Sequence, residues 1–201
     1  MTADNDTAID PAIAARMTTP TDHRLGSDDG LRVVFTWQTD RYAHTIYAAG
    51  GRQLIGYEGS AQDDWPASAA LSQLSTEIID GRPTILGVGC SGTTHFSVSV
   101  QLSDTDGGQP FIQFDWAARL AKPLSAIDIA ETPSDQAEPP LAWLGSTYRL
   151  PADYPSDWCI ETRGATLLKR AGGESPNRLI LQPTRMDQVR TVEWSYRIQA
   201  S

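Results

Sequence analysis

The 201-residue chain predicts an antiparallel all-β domain, with a β-sandwich of two sheets as the leading arrangement and a flattened up-and-down β-barrel as the alternative. Three observations carry this expectation. Apolar and polar residues alternate over short runs, as half-buried strands require. The runs are separated by Gly-Gly, Asp-Gly and Asp-Gly-Gly, each a tight-turn signal. No stretch holds the 3.6-residue apolar period of a long amphipathic helix.

Residues 1–30 read as an acidic, flexible tail ahead of a single domain over 31–201. Asp4, Asp6, Asp10, Asp22, Asp28 and Asp29 outweigh Arg16 and Arg24, giving −4. The segment has few apolar side chains to bury, and it lacks the apolar core of a signal peptide. From Leu31, Val33, Phe35 and Trp37 alternate with polar neighbours, so the first strand is half-buried. Tyr42–Ala49 and Gln53–Tyr57 follow, with Gly50-Gly51 as a two-residue turn that sets Ile46 opposite Ile55 and His44 opposite Tyr57. A turn at Asp40-Arg41 sets His44 opposite Trp37. On this reading His44 is a core histidine bonded to Tyr57.

Ala67, Ala70, Leu71 and Leu74 recur at helical spacing after Asp63-Asp64-Trp65-Pro66 and suggest one or two helical turns. Thr76–Ile79 and Thr84–Val88 form a hairpin around Asp80-Gly81, among the strongest type I′ signals, with Pro83 at an edge or bulge. His95–Leu102 alternates again, and Asp106-Gly107-Gly108 turns it into Phe111–Trp116. In a Pro-containing linker at about 121–140, residues 125–140 carry Asp128, Glu131, Asp135 and Glu138 without a base, another −4. Trp143–Leu150, Trp158–Arg163, Thr166–Ala171, Arg178–Gln182 and Arg190–Gln199 complete about eleven short strands. Trp37, Trp116, Trp143, Trp158 and Trp194 share parity with aliphatic neighbours and read as core, whereas Trp65 is the tryptophan expected to be exposed.

The formal net charge is −9. Eight of those charges fall in the tail and the linker, so the folded part is nearly neutral, and residues 159–201 carry +3. Nucleic acid is not an expected partner, because binding it requires cations that displace phosphate counterions. No run of about 18 apolar residues is present, so no membrane span is expected. Cys90 and Cys159 read as reduced thiols of a cytoplasmic protein.

Chemistry concentrates at Gly87–His95. With Ser91-Gly92 as the turn, Val88, Cys90, Thr93, His95, Ser97 and Ser99 line one face, and Cys90 and His95 are diagonal neighbours with Cβ atoms about 7 Å apart. A thiolate needs a base or a positive field beside it, so the pair is a candidate nucleophile and base. The surrounding glycines match neither the nucleophile elbow nor the phosphate loop. The three histidines and two cysteines have no zinc spacing, and Asp104–Gly108 supplies only part of a calcium loop. No metal and no cofactor are expected. The adjacent Asp63 and Asp64 point apart in an extended chain and make no acid–base pair.

The leading functional expectation is a soluble, non-catalytic β-domain that binds a small molecule or a protein partner. Its site is the polar face of Val88, Thr93, Ser97, Ser99 and Gln101 with Cys90 and His95, and Trp65 is a further contact. The alternatives are a hydrolase or transferase using Cys90 with His95, and an assembly module that associates through an edge strand or Trp65.

Overall fold

The computed structural model describes residues 20–58, 69–121, 123, 144–151, 157–164, 166–170, 178–184 and 190–200, with the side chains of 169 and 170 left aside. Thirteen strands occur among them: β1 His23–Gly26, β2 Arg32–Gln38, β3 Arg41–Tyr47, β4 Gln53–Gly56, β5 Gln73–Ile79, β6 Arg82–Ser91, β7 Thr94–Asp104, β8 Pro110–Arg119, β9 Ser146–Arg149, β10 Trp158–Arg163, β11 Thr166–Arg170, β12 Arg178–Pro183 and β13 Thr191–Ala200. Every pairing is antiparallel. A seven-stranded sheet runs β1-β2-β3-β4-β9-β12-β11 and a six-stranded sheet β10-β13-β8-β7-β6-β5. They do not close into a barrel, and the architecture is a β-sandwich. No described helix is long and apolar enough to cross a membrane.

Period-two alternation decides which side chains face the opposite sheet. Val33 and Phe35 of β2, Ile46 of β3, Phe96, Val98 and Val100 of β7, Phe114 and Trp116 of β8, and Val192, Trp194, Tyr196 and Ile198 of β13 are all buried. Burial of such side chains is the main favourable term in folding. Trp116 and Trp194 are cross-strand partners, stacked at 5.6 Å with 3° between their planes. Trp158 is buried and Trp37 packs on the core. Trp65 and Trp143 lie outside the described residues, as do residues 1–19, 59–68 and most of the linker.

The structure departs from the sequence expectation at several points. β1 falls inside the segment read as tail: Leu25 is buried, and His23–Gly26 pair with Arg32–Phe35. A short pattern with one buried apolar residue carries too little period to stand out. The segment after Ala69 contains no helix. Leu71 instead bridges to Tyr42, and Leu74 opens onto Gly87 from β5. Gly50-Gly51 is not a two-residue turn. Ala49–Gly51 form a 3-10 turn closed by Ala48 N–H donating to Arg52 O at 3.0 Å. The β3–β4 register is therefore one residue away from that expected, with Thr45 opposite Ile55 and Ile46 opposite Leu54. The preceding turn is centred on Thr39-Asp40, so Phe35 rather than Trp37 faces His44.

Asp80-Gly81 behaves as its type I′ signal predicts, with φ of 51° and 76° and Ile79 opposite Arg82. Pro83 pairs with Ile78 just outside the β6–β7 ladder, which starts at Thr84, so its missing N–H is not demanded by β7.

Candidate functional site

The outer face of the six-stranded sheet is built in register rows. Cys90, His95, Arg119 and Thr191 form one row across β6, β7, β8 and β13. The next holds Gln73, Val88, Ser97, Ala117 and Glu193, and the third Ser75, Leu86, Ser99, Asp115, Ser195 and Arg163. A fourth contains Thr84, Gln101, Gln113 and Arg197. Val88, Cys90, His95, Ser97, Ser99 and Gln101 thus share one face. Thr93 sits in the turn, Trp65 lies outside the described residues, and Cys159 is on distant β10.

The β6–β7 turn is centred on Gly92-Thr93, not Ser91-Gly92, with Ser91 opposite Thr94. The shift moves each partner by two, so the face survives, but Cys90 and His95 become direct rather than diagonal neighbours. No hydrogen bond joins them, and among the described residues no acid orients the imidazole. Gly89 lies where a Cβ would stand 1.9 Å from the carbonyl oxygen of Ala70, so only glycine admits the chain entering β5. Gly87 faces Val98, not Phe96, and leaves room for Leu74 and Val98.

The two ends of this face differ in how far they are satisfied internally. Ser195 Oγ donates to Asp115 Oδ1 at 2.6 Å, Gln113 Nε2 donates to Ser195 Oγ at 2.7 Å, and Arg163 Nη1 donates to Gln113 Oε1 at 3.3 Å. Gln101 Nε2 donates to Thr84 Oγ1 at 2.9 Å, so its amide is already engaged. By contrast, among the described residues the side chains of Cys90, His95, Ser97, Ser99, Arg119 and Arg190 make no hydrogen bond or ion pair.

Three hollows of about 520, 540 and 690 Å³ lie along the face. The first and second share Ser97 and Ala117, and the second and third share His95 and Arg119, so the depression is continuous. Its floor is shallow because Ser97, Ser99 and Ala117 are short, while Leu86 and Val88 wall it from β6.

A second polar constellation lies between the sheets. His44 Nδ1 meets Glu58 Oε1 at 2.5 Å, and His44 Nε2 lies 2.9 Å from Tyr148 Oη, which lies 2.8 Å from Tyr196 Oη. Trp116 Nε1 donates to Tyr196 Oη at 3.3 Å, and Trp194 Nε1 donates to Ser146 Oγ at 3.0 Å. His44 and Glu58 are 3% and 6% exposed, and Glu58 Oε2 has no partner. A Cβ at Gly56 would collide with both Glu58 and His44, so that glycine makes room for the pair. His44 is therefore a core histidine, as expected, but its partners are Glu58 and Tyr148 instead of Tyr57. The one-residue register difference sends Tyr57 outward, where Arg178 stacks on its ring at 4.1 Å. Burial pushes the Tyr148 and Tyr196 phenols well above the usual tyrosine range.

Arg119 is the residue of the face that the sequence reading missed. Its parity with Asp115 and Ala117 in β8 was the available signal. Among the described residues no group of three His, Cys, Asp or Glu side chains forms a metal site.

No family model matches the chain, and no curated protein matches it significantly.

Proposed function

We propose that the chain is a non-catalytic binding module whose ligand lies in the depression on the outer face of the six-stranded sheet, centred on Ser97 and Ala117. One observation carries the reading. The depression is continuous over four strands, and polar side chains with no partner among the described residues line it beside apolar Leu86 and Val88. Sites for small molecules combine such apolar walls with a few placed polar groups. The hydroxyls of Ser97 and Ser99 supply orientation, and Val88, 49% exposed, supplies apolar area.

Thermal unfolding against a panel of small metabolites tests the reading. A compound present at a hundredfold excess over its Kd stabilises the fold by about 2.7 kcal/mol, which raises the midpoint by roughly 5–10 °C for a domain of this size. Ser97→Trp or Ala117→Trp fills the floor and is expected to abolish that rise. Absence of any stabilising compound, or a rise that survives both substitutions, overturns the reading.

The rival is thiol chemistry at Cys90, favoured by the placement of His95 and Arg119 in the same row. An activated thiol reacts with iodoacetamide faster than a free peptide thiol at neutral pH. The binding-module reading expects Cys90 to react no faster than the peptide, and a rate tenfold or more above it would move the assignment to the enzyme.

A further inference from the structure

We infer that the His95, Arg119 and Arg190 end of this depression is an anion site that takes the phosphate monoester of a small ligand whose body lies over Ser97 and Ala117. The inference rests on the binding-module reading for the body of the ligand, while the anion site itself stands on separate observations.

The first is the state of the arginines. Arg24 pairs with Asp28, Arg41 with Asp40, Arg52 with Asp157 and Arg197 with Glu161. Arg32 and Arg178 stack on tyrosines, and Arg163 donates to Gln113. Among the described side chains Arg119 and Arg190 make no such contact, and of the other arginines only Arg149, on the seven-stranded sheet, is alike. Both line the 690 Å³ hollow together with His95, Thr93 and Gly92, and among the described residues no carboxylate lines it. Among the described residues Glu193, one row away, is the first acid met along that face.

The second observation is that the backbone brings these residues to one end of the sheet. Arg119 is the register partner of both His95 and Thr191, and Leu120 N–H donates to Arg190 O at 2.7 Å. Arg190 stands just before β13 opposite Leu120, so it flanks the Arg119 row at the end of the sheet instead of continuing it, and both arginines line the hollow there. Like charges gathered this way repel one another, and a bound anion removes the repulsion. Two guanidinium forks, an imidazole and the Thr93 hydroxyl offer more donors than one carboxylate accepts. They match a phosphate monoester, with nearly two charges and three acceptor oxygens. Rows on one face of a strand are spaced by two residues, so the depression extends about 13 Å from the Arg119 row to the Asp115 row. That length accommodates the body of a small phosphorylated molecule.

Calorimetric titration with inorganic phosphate, phenyl phosphate, benzoate and neutral benzyl alcohol tests the proposal. Phenyl phosphate is expected to bind best, with affinity falling as sodium chloride is raised. Arg119→Ala and Arg190→Ala are each expected to weaken it about tenfold, a size typical of a charge-assisted hydrogen bond. Both side chains are surface groups, and circular dichroism checks that the variants fold. Ser97→Trp is expected to reduce the affinity for phenyl phosphate to that for inorganic phosphate. Equal binding of phenyl phosphate to the wild type and both arginine variants, or no binding of either phosphate at millimolar concentration, overturns the anion site. Benzoate binding tighter than phenyl phosphate overturns the choice of phosphate. Arginine-dependent binding that Ser97→Trp leaves unchanged upholds the anion site and removes the binding-module reading of the floor.

Discussion

Alanine in place of His44 is expected to destabilise the fold by about 3–5 kcal/mol, the usual cost of leaving a buried carboxylate without its partner. For a domain of this size the thermal midpoint then falls by roughly 6–20 °C. Glu58 is 6% exposed, and its Oε1 lies against His44 Nδ1 and, at 3.4 Å, the His44 backbone N–H. Its Oε2 has no partner even in the intact protein. Without the imidazole, Glu58 keeps only the long backbone contact, and Tyr148 Oη loses its hydrogen-bond partner at that end of the chain. Replacing both members by leucine is expected to recover most of the loss, because two apolar groups leave no buried charge behind. Urea unfolding of the wild type, His44→Ala and the double leucine variant measures this. A loss below about 1 kcal/mol for His44→Ala would show that water reaches the pair and screens it.

Alkaline pH is expected to unfold the protein cooperatively, beginning above about pH 10, with Tyr148 and Tyr196 as the cause. Both folded-state phenols are held protonated by burial well above the unfolded value near 10. Between those two values the unfolded chain binds fewer protons than the folded one, so stability falls as pH rises. Below pH 10 both states keep the protons and the full stability is present. Each buried phenol removes about 1.4 kcal/mol for every pH unit beyond 10. Two of them bring a typical domain, stable by about 5–15 kcal/mol, toward unfolding within two or three units. The chain has six tyrosines, and absorbance at 295 nm should gain a step of two phenolates together with the loss of the β-sheet circular dichroism signal. A smooth titration of all six near pH 10 with the signal intact would refute the assignment.

The strands that carry the core were legible in the sequence because each presents its own period. Val33 and Phe35, Phe96, Val98 and Val100, and Val192 to Ile198 alternate without interruption, and Asp80-Gly81 names its own turn type. Registers were less legible. Gly50-Gly51 satisfies a two-residue turn and a longer 3-10 turn equally well. What selects between them is burial of Glu58 against His44 over the space at Gly56, a contact that only the assembled sheet supplies. Leu71 and Leu74 have helical spacing, yet one bridges to Tyr42 and the other packs at Gly87, so tertiary pairing overrides a weak local pattern. Val88, Cys90, His95, Ser97 and Ser99 still share a face despite the turn shift, because moving a hairpin partner by two preserves parity, whereas Thr93 passes into the turn. Arg119 and Arg190 are far apart in sequence and meet through the pairing of β8 with β13. No local pattern announces that meeting.

The pairing of β8 with β13 also sets the order in which the protein can be made. As the chain leaves the ribosome, β5 to β8 can zip as successive hairpins, but the second edge of β8 stays vacant until β13 has emerged. During that interval Phe114 and Trp116 stand beside an open row of backbone donors and acceptors, the arrangement most prone to recruit another nascent chain. Closure over so long an intervening segment, which itself holds β9 to β12, is slow, on the millisecond-to-second scale of β-sandwiches. Production yield should therefore depend on chaperone capacity during synthesis more than on the equilibrium stability of the finished sandwich.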